Sequence, residues 1–315
     1  MKILKQLLIM TFAMSFIFIS CNDDEELLPP TLGDTQVKYV RQNSVVIHFT
    51  VTDDGDEYVR DKGICYSTEP SPTLDANIIE PESSGDPLMV EIEDLDSETT
   101  YYARAYATSD AGTSYSTEVT FTTTSPVTDN DGNEYKTVKI GDQLWMAENL
   151  RTTTYNDGSA IPNITGEDAW SEATTPAYSW WENDASESDR GAYYNYYTVM
   201  TEKLCPTGWH IPDTTEWGVL LDFVGDEPGR KLKSHGEQMF TDYNETGFSA
   251  YMEGYRASGS GTFGRSGEWT FMWIGGDPLS IEGYTEAIEF LHDSHGVEQD
   301  MNSKQMGFSV RCIKD

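Results

Sequence analysis

The chain has 315 residues, enough for more than one domain, and carries 54 Asp and Glu against 20 Lys and Arg for a formal net charge of −34. Acid is spread along it, with 18 acidic against 5 basic residues in 31–125 and 32 against 13 in 126–315. Such a field repels phosphate backbones and anionic lipid, which argues against a nucleic-acid partner and against membrane attachment through the polypeptide itself.

The first segment carries Lys2 and Lys5, then an apolar run from Leu7 to Ile19 broken only by Thr11 and Ser15. That run is well short of the roughly 20 residues a bilayer span needs, so residues 1–20 read as a signal peptide. Phe18-Ile19-Ser20-Cys21 resembles a bacterial lipobox, with Phe18 standing where leucine is commoner. The resemblance implies lipidation of Cys21, and two or more acyl chains on one residue anchor stably where one does not. Asn22-Asp23-Asp24-Glu25-Glu26 resembles the acidic export signal of Bacteroidetes-type lipoproteins. Residues 21–30 are therefore expected to be the lipidated cysteine and an acidic linker. The protein is expected in the outer membrane, held by lipid and facing the cell exterior.

From Thr35 to Thr124 the chain reads as short alternating segments punctuated by Gly, Pro, Asp and Ser, among them Ser44–Val51, Arg60–Ser67, Leu88–Ile92, Tyr101–Ala107 and Tyr115–Thr122. About seven strands at this spacing, with no helical period, predict an N-terminal all-β sandwich over residues 31–125. The run from Leu95 to Ala107, followed by Gly112-Thr113 and Phe121-Thr122-Thr123, resembles the late strands of fibronectin type III domains, which are Ig-like. The resemblance implies that Tyr101 is the corner tyrosine whose hydroxyl bonds backbone, and that the domain is a spacer.

Ser125-Pro126 ends the last strand, and all eight tryptophans lie between Trp145 and Trp273, so residues 126–315 form a second domain with a different core. Alternation around Asp131-Gly132 and Gly141-Asp142 predicts tight hairpins. Asp129-Asn130-Asp131-Gly132-Asn133 sets oxygen donors in quick succession but lacks the downstream bidentate glutamate of a calcium loop, and a hairpin turn is the better reading. Asp213 followed by Glu216 forms a capping-box pattern. Trp217, Leu220, Leu221 and Val224 then give one apolar face, and Gly225 closes the helix. The remainder is glycine-punctuated short strand and loop, which makes the domain α+β.

The segments Ile140–Leu150, Gly191–Tyr197, Cys205–Trp217, Gly229–Lys233 and Gly307–Cys312 closely resemble the Fibrobacter succinogenes major paralogous (FISUMP) domain. That family is typified by secreted and surface lipoproteins of unsettled biochemical role. More loosely, Trp209–Trp217 and Gly307–Arg311 resemble formylglycine-generating-enzyme-like domains, which implies the C-type lectin fold for this α+β domain. Fold alone does not give function.

With Cys21 assigned to lipid, two of the other three cysteines should pair in an oxidising compartment. Cys205 and Cys312 share the second domain, while Cys65 lies alone in the first, in a run that reads as a buried strand. Formylglycine-generating chemistry needs a reactive cysteine pair near the C-terminus, and only Cys312 is there, so that activity is not expected; with no triad or metal set marked by the histidines and no carboxylate pair singled out in so acidic a chain, the protein is expected not to be an enzyme. No Cys/His spacing suits zinc, and no metal or cofactor is expected. Of the five histidines, His292 and His295 read as a polar turn and His210 as structural, with His48 and His235 uninformative. Binding is the expected use, of an extracellular glycan or protein. Trp180, Trp181, Tyr194 and Tyr196 are its candidate residues, because alternation in a strand would turn some of these rings outward. An enzyme acting on surface glycans and a structural subunit of a surface assembly are the alternatives.

Overall fold

The computed structural model describes residues 27–315 except 83, 235–243 and 277–278, and except the side chain of Ser280. The signal peptide, the lipidation candidate Cys21 and His235 lie outside the described residues.

Alternating sequence makes the first unit. Strands β1 (Gln36–Arg41), β2 (Val45–Phe49) and β5 (Leu88–Ile92) pair in the order β5-β2-β1. The facing sheet holds β3 (Asp61–Ser67), β4 (Asn77–Ile79), β6 (Thr100–Ser109) and β8 (Val119–Thr122) in the order β8-β6-β3-β4, with β7 (Gly112–Tyr115) also on β6. Side chains alternate between faces along a strand, so Leu88, Val90 and Ile92 of β5 are buried while Met89 and Glu91 point out. Val45, Ile47 and Phe49 meet Ile64, Ala103, Ala105 and Phe121 between the sheets, which is the sandwich the sequence predicts. The Tyr101 hydroxyl accepts the backbone N–H of Asp96 at 3.1 Å, as the corner-tyrosine pattern implies. Cys65 is buried in β3, and burial pushes its thiol pKa up, which makes it unreactive.

The second unit begins with two hairpins. Strands β9 (Val127–Thr128) and β10 (Glu134–Tyr135) flank the first, and β11 (Thr137–Ile140) and β12 (Gln143–Met146) flank the second, both as predicted. In the first turn, Asp129 accepts the N–H groups of Asp131 and Asn133, both at 2.9 Å, and the Tyr135 hydroxyl at 2.5 Å. Its carboxylate is thus committed to holding the turn.

Strand β11 then pairs antiparallel with β1, Ile140 opposite Tyr39 and Val138 opposite Arg41. The sheet runs on through β12 to β13 (Trp209–His210) and β18 (Ile313–Lys314), giving seven strands in the order β13-β18-β12-β11-β1-β2-β5. Around the crossing, the Thr124 amide donates to Arg41 O at 3.1 Å and its hydroxyl to Thr137 O at 3.0 Å. Thr137 returns a bond to Ser125 O at 2.7 Å. Tyr39 and Val46 of the sandwich are buried in the same cluster as Trp145, Trp217 and Phe248. A strand edge that would face water on a free sandwich is thus filled by the second unit. Calorimetry on the mature chain should therefore show one cooperative unfolding transition. Two resolved transitions would mean that the seam contributes little.

Helix α1 (Thr214–Val224) forms where predicted. Asp213 accepts the Glu216 amide at 2.8 Å and Glu216 accepts the Asp213 amide at 2.9 Å, a complete capping box. Trp217, Leu220 and Val224 are buried, and Gly225 at φ +70° ends the helix. A second sheet contains β14 (Trp269–Trp273), β15 (Ser280–Ile281), β16 (Tyr284–Leu291) and β17 (Glu298–Ser303). Cys205 and Cys312 form the expected disulfide, 107 positions apart.

Much of this unit is loop, and buried loop carbonyls need donors. Three buried cations supply them. Arg311 donates to Asn149 Oδ1 (2.9 Å), Met146 O (3.2 Å), Ser249 O (2.5 Å) and Phe248 O, with its guanidinium over the Phe248 ring. Arg256 does the same for Gly261 O (2.8 Å), Ile164 O (2.5 Å) and Thr165 O (3.0 Å) and stacks on Trp170. Lys233 gathers Leu291 O (2.7 Å), His292 O (3.0 Å) and Ser294 O (2.6 Å). Burial pulls the pKa of Arg311 down to about 9 and that of Lys233 to about 8.

Candidate functional site

Where the two units meet, a cleft of about 960 Å³ opens over the outward face of β1, β2 and β5. Small-ligand sites occupy roughly 300–1,000 Å³. Its floor carries Val46, Met89 and Glu91 from the sandwich; its other wall is Lys136, Ala147, Glu148 and Arg230 together with the segment from Asn244 to Tyr251.

Arg41, at the end of β1, ties the walls together. Its Nη1 pairs with Glu91 and reaches Ser44 Oγ at 3.2 Å, and its Nη2 donates to Glu245 O at 2.5 Å. Gly247 makes room for it: a Cβ there would lie 2.3 Å from Arg41 Nε, and φ is +76°. The Asn244 side chain fixes the turn by accepting the Ser249 amide and donating to its hydroxyl, both at 2.8 Å. Asn244 and Ser249 both take positive φ there.

The Glu245 carboxylate lies 3.9 Å from His48 Nε2. Burial, outweighing the attraction of Glu245, holds the His48 pKa below its ordinary value. Burial and then the Glu245 charge push the Tyr39 hydroxyl well up, so both groups are neutral at pH 7. Neither group therefore adds charge beside the cleft, whose own lining carries the charged Arg41, Glu91 and Glu245. The lining also holds the amides of Gln42 and Asn43, the Ser97 hydroxyl, the charged Lys136, Glu148 and Arg230, and the Tyr251 ring at 41% exposure.

None of the four sequence candidates lines this cleft. Trp180, Tyr194 and Tyr196 are buried, at 9%, 0% and 4% exposure, which corrects the expectation that they present rings to a ligand. The physical reason is local. The segment Tyr193–Tyr197 is not one strand: after Tyr193–Tyr194, the Asn195 side chain accepts the Thr198 amide and starts a short helix, Tyr196–Val199. Tyr194 donates to Thr152 O at 2.6 Å, and Tyr196 packs on Trp273. Trp181 is half-buried against Tyr193 and Phe263 under the Arg190 guanidinium. The cleft residues come from separated segments and no local pattern marks them.

Two of the remaining histidines tie structure together. His210 bonds Glu216 at 2.9 Å and Asp315 at 2.7 Å, joining β13 to the α1 capping box; His295 bonds Glu227 at 2.8 Å. Among the described residues no group of three or more His, Cys, Asp or Glu is placed to hold a metal ion.

No curated protein matches the chain. Solved structures similar to part of it include "Myokine structure", with 24% identity and a TM-score of 0.25, over 31% of this chain and 100% of that one. The FN1–FN3 domains of chicken CNTN1 show 18% identity over 31% of this chain and 33% of that chain, with a TM-score of 0.27. The third fibronectin III domain of human KIAA0343 shows 17% identity over 33% and 90%, with a TM-score of 0.25. Residues 138–314, more than half of the chain, match the Fibrobacter succinogenes major domain, and the protein belongs to that family.

Proposed function

We propose that this protein is a lipid-anchored outer-membrane surface protein, acylated on Cys21, that binds an extracellular glycan in the cleft between its two units without catalysing a reaction. The observation that carries this reading is the lining of the cleft. Side-chain amides, hydroxyls and charged groups of both signs share that lining with a half-exposed tyrosine, Tyr251; such polar groups meet sugar hydroxyls while the ring stacks on a sugar face. The shared sheet supports it further, since a site built between two units needs them held in fixed relation. In this reading the second unit has the C-type lectin architecture that its likeness to formylglycine-generating-enzyme-like domains implies, but uses the cleft rather than a calcium loop.

A glycan array on the soluble chain from residue 22, which lacks the acylated cysteine, tests the reading. A selected glycan should bind without turnover, and Tyr251→Ala should raise its Kd at least tenfold, about 1.4 kcal/mol, with the melting temperature unchanged. Undiminished binding in the variant would move the site elsewhere, and release of a shortened product would make the protein an enzyme. Mass spectrometry of the mature N-terminus tests the anchor, since an unmodified Cys21 thiol would remove it.

A further inference from the structure

The cleft wall from Asn244 to Tyr251 meets the sandwich at Arg41 and at His48. Arg41 holds it, donating to Glu245 O at 2.5 Å and lying against Gly247. His48 is placed differently. Val45, Ile47 and Phe49 of β2 fill the sandwich, so Val46 and His48, between them in sequence, face the second unit. There the His48 Nε2 is buried without a hydrogen-bond partner, and the Glu245 carboxylate at 3.9 Å stands beyond hydrogen-bond reach.

The groups around the ring suit a neutral imidazole. Lys38 of β1 and Lys231 of the short helix Pro228–Leu232 both act on it by charge, and Lys231 is fixed by donating to Val224 O at 2.9 Å. Register sets the uncharged Gln36 of β1 and Met89 of β5 on either side of His48. The Tyr39 hydroxyl, beside Glu245, stays neutral. Burial outweighs the attraction of Glu245, and the two lysines add to it, so the docked ring has a pKa below the ordinary value. A ring freed from the wall returns to about 6.5. The freed form therefore takes up a proton first. Docking is undisturbed above about pH 6.5 and weakens progressively as pH falls below it.

We propose that His48 is an acid-sensitive latch on the cleft, which lets the 244–251 wall dock on β2 while the imidazole is neutral and releases the wall when the ring is protonated. The same wall carries Tyr251, so docking completes the cleft at neutral pH and acid loosens it. What this does to a ligand rests on the glycan reading of the cleft; the movement of the wall does not.

Hydrogen–deuterium exchange of the unliganded soluble chain from residue 22, corrected for the intrinsic pH dependence of amide exchange, tests it. Between pH 7.5 and 5.5 the amides of 244–251 should gain roughly three- to tenfold in exchange, the upper figure being the ceiling one pH unit below the ordinary histidine value. Amides of β3 and β6, in the far sheet of the sandwich, should not change. His48→Gln should abolish the gain. Glu245→Gln should enlarge it, because the docked imidazolium then loses its favourable carboxylate. Followed by NMR, the His48 ring should titrate below about 6.5 in the parent and lower still in Glu245→Gln. A ring that titrates at or above the ordinary value overturns the proposal, as does a wall whose exchange is unchanged or slowed in acid, or rises equally in His48→Gln. No ligand enters these measurements, so a wall that responds while no glycan binds would defeat the binding reading alone.

Discussion

Replacing Arg311 by methionine should cost the folded protein about 3–5 kcal/mol, seen as a fall in Tm of roughly 10 °C. Methionine fills much of the arginine volume, so the loss is not chiefly a cavity. What disappears is the donor set for the carbonyls of Met146, Phe248 and Ser249 and for Asn149 Oδ1. Arg311 is wholly buried, so water cannot replace those donors without entering the core. Arg311→Lys should recover only part of the loss, because one ammonium cannot span acceptors that the planar guanidinium reaches with three nitrogens. Thermal melts of the three proteins decide the matter: a methionine variant melting with the parent would mean that the carbonyls are satisfied some other way.

The second large effect is expected from removing the disulfide. A Cys205→Ala, Cys312→Ala double variant closes no loop across 107 positions, and the chain-entropy relation puts its deficit at about 3–5 kcal/mol. Both sulfurs lie in the core cluster with Ile211, Trp273 and Val310, and Cys312 precedes β18, the strand that joins β12 to β13. Losing the link frees the last strand from the Cys205 segment in the unfolded chain, and leaves small voids in the folded one. Urea denaturation of parent and variant should give midpoints well apart, with a steeper slope for the variant, whose unfolded chain is less compact. A difference below about 1 kcal/mol would show that the native packing already does the work assigned to the bond.

Much of the architecture was readable from local chemistry. The sandwich announced itself through alternation where a strand has one dry face and one wet one, as Leu88, Val90 and Ile92 of β5 show residue by residue; β2, buried on both faces, does not alternate. Helix α1 was legible because Asp213, Glu216 and Gly225 mark both ends chemically. The disulfide followed from compartment and domain membership. The junction of the two units was not legible, since the pairing of β1 with β11 joins distant segments whose own sequences say nothing of their partner. The aromatic candidates failed because a two-residue strand was extended into a longer one. Asn195, a good N-cap residue standing just before Tyr196, was the available sign that the run would turn helical and bury its rings. The cleft depends on pieces from both units, so it exists only once the junction does.

The shared seven-strand sheet also limits how this chain can be divided. A second unit produced alone from residue 126 would expose the β1-facing edge of Thr137–Ile140, a row of open amide and carbonyl groups beside the apolar Val138 and Ile140 side chains. Such an edge recruits any extended chain it meets, so the isolated fragment would self-associate, and exchanging the sandwich for an unrelated one would require a replacement whose first strand fits the same register.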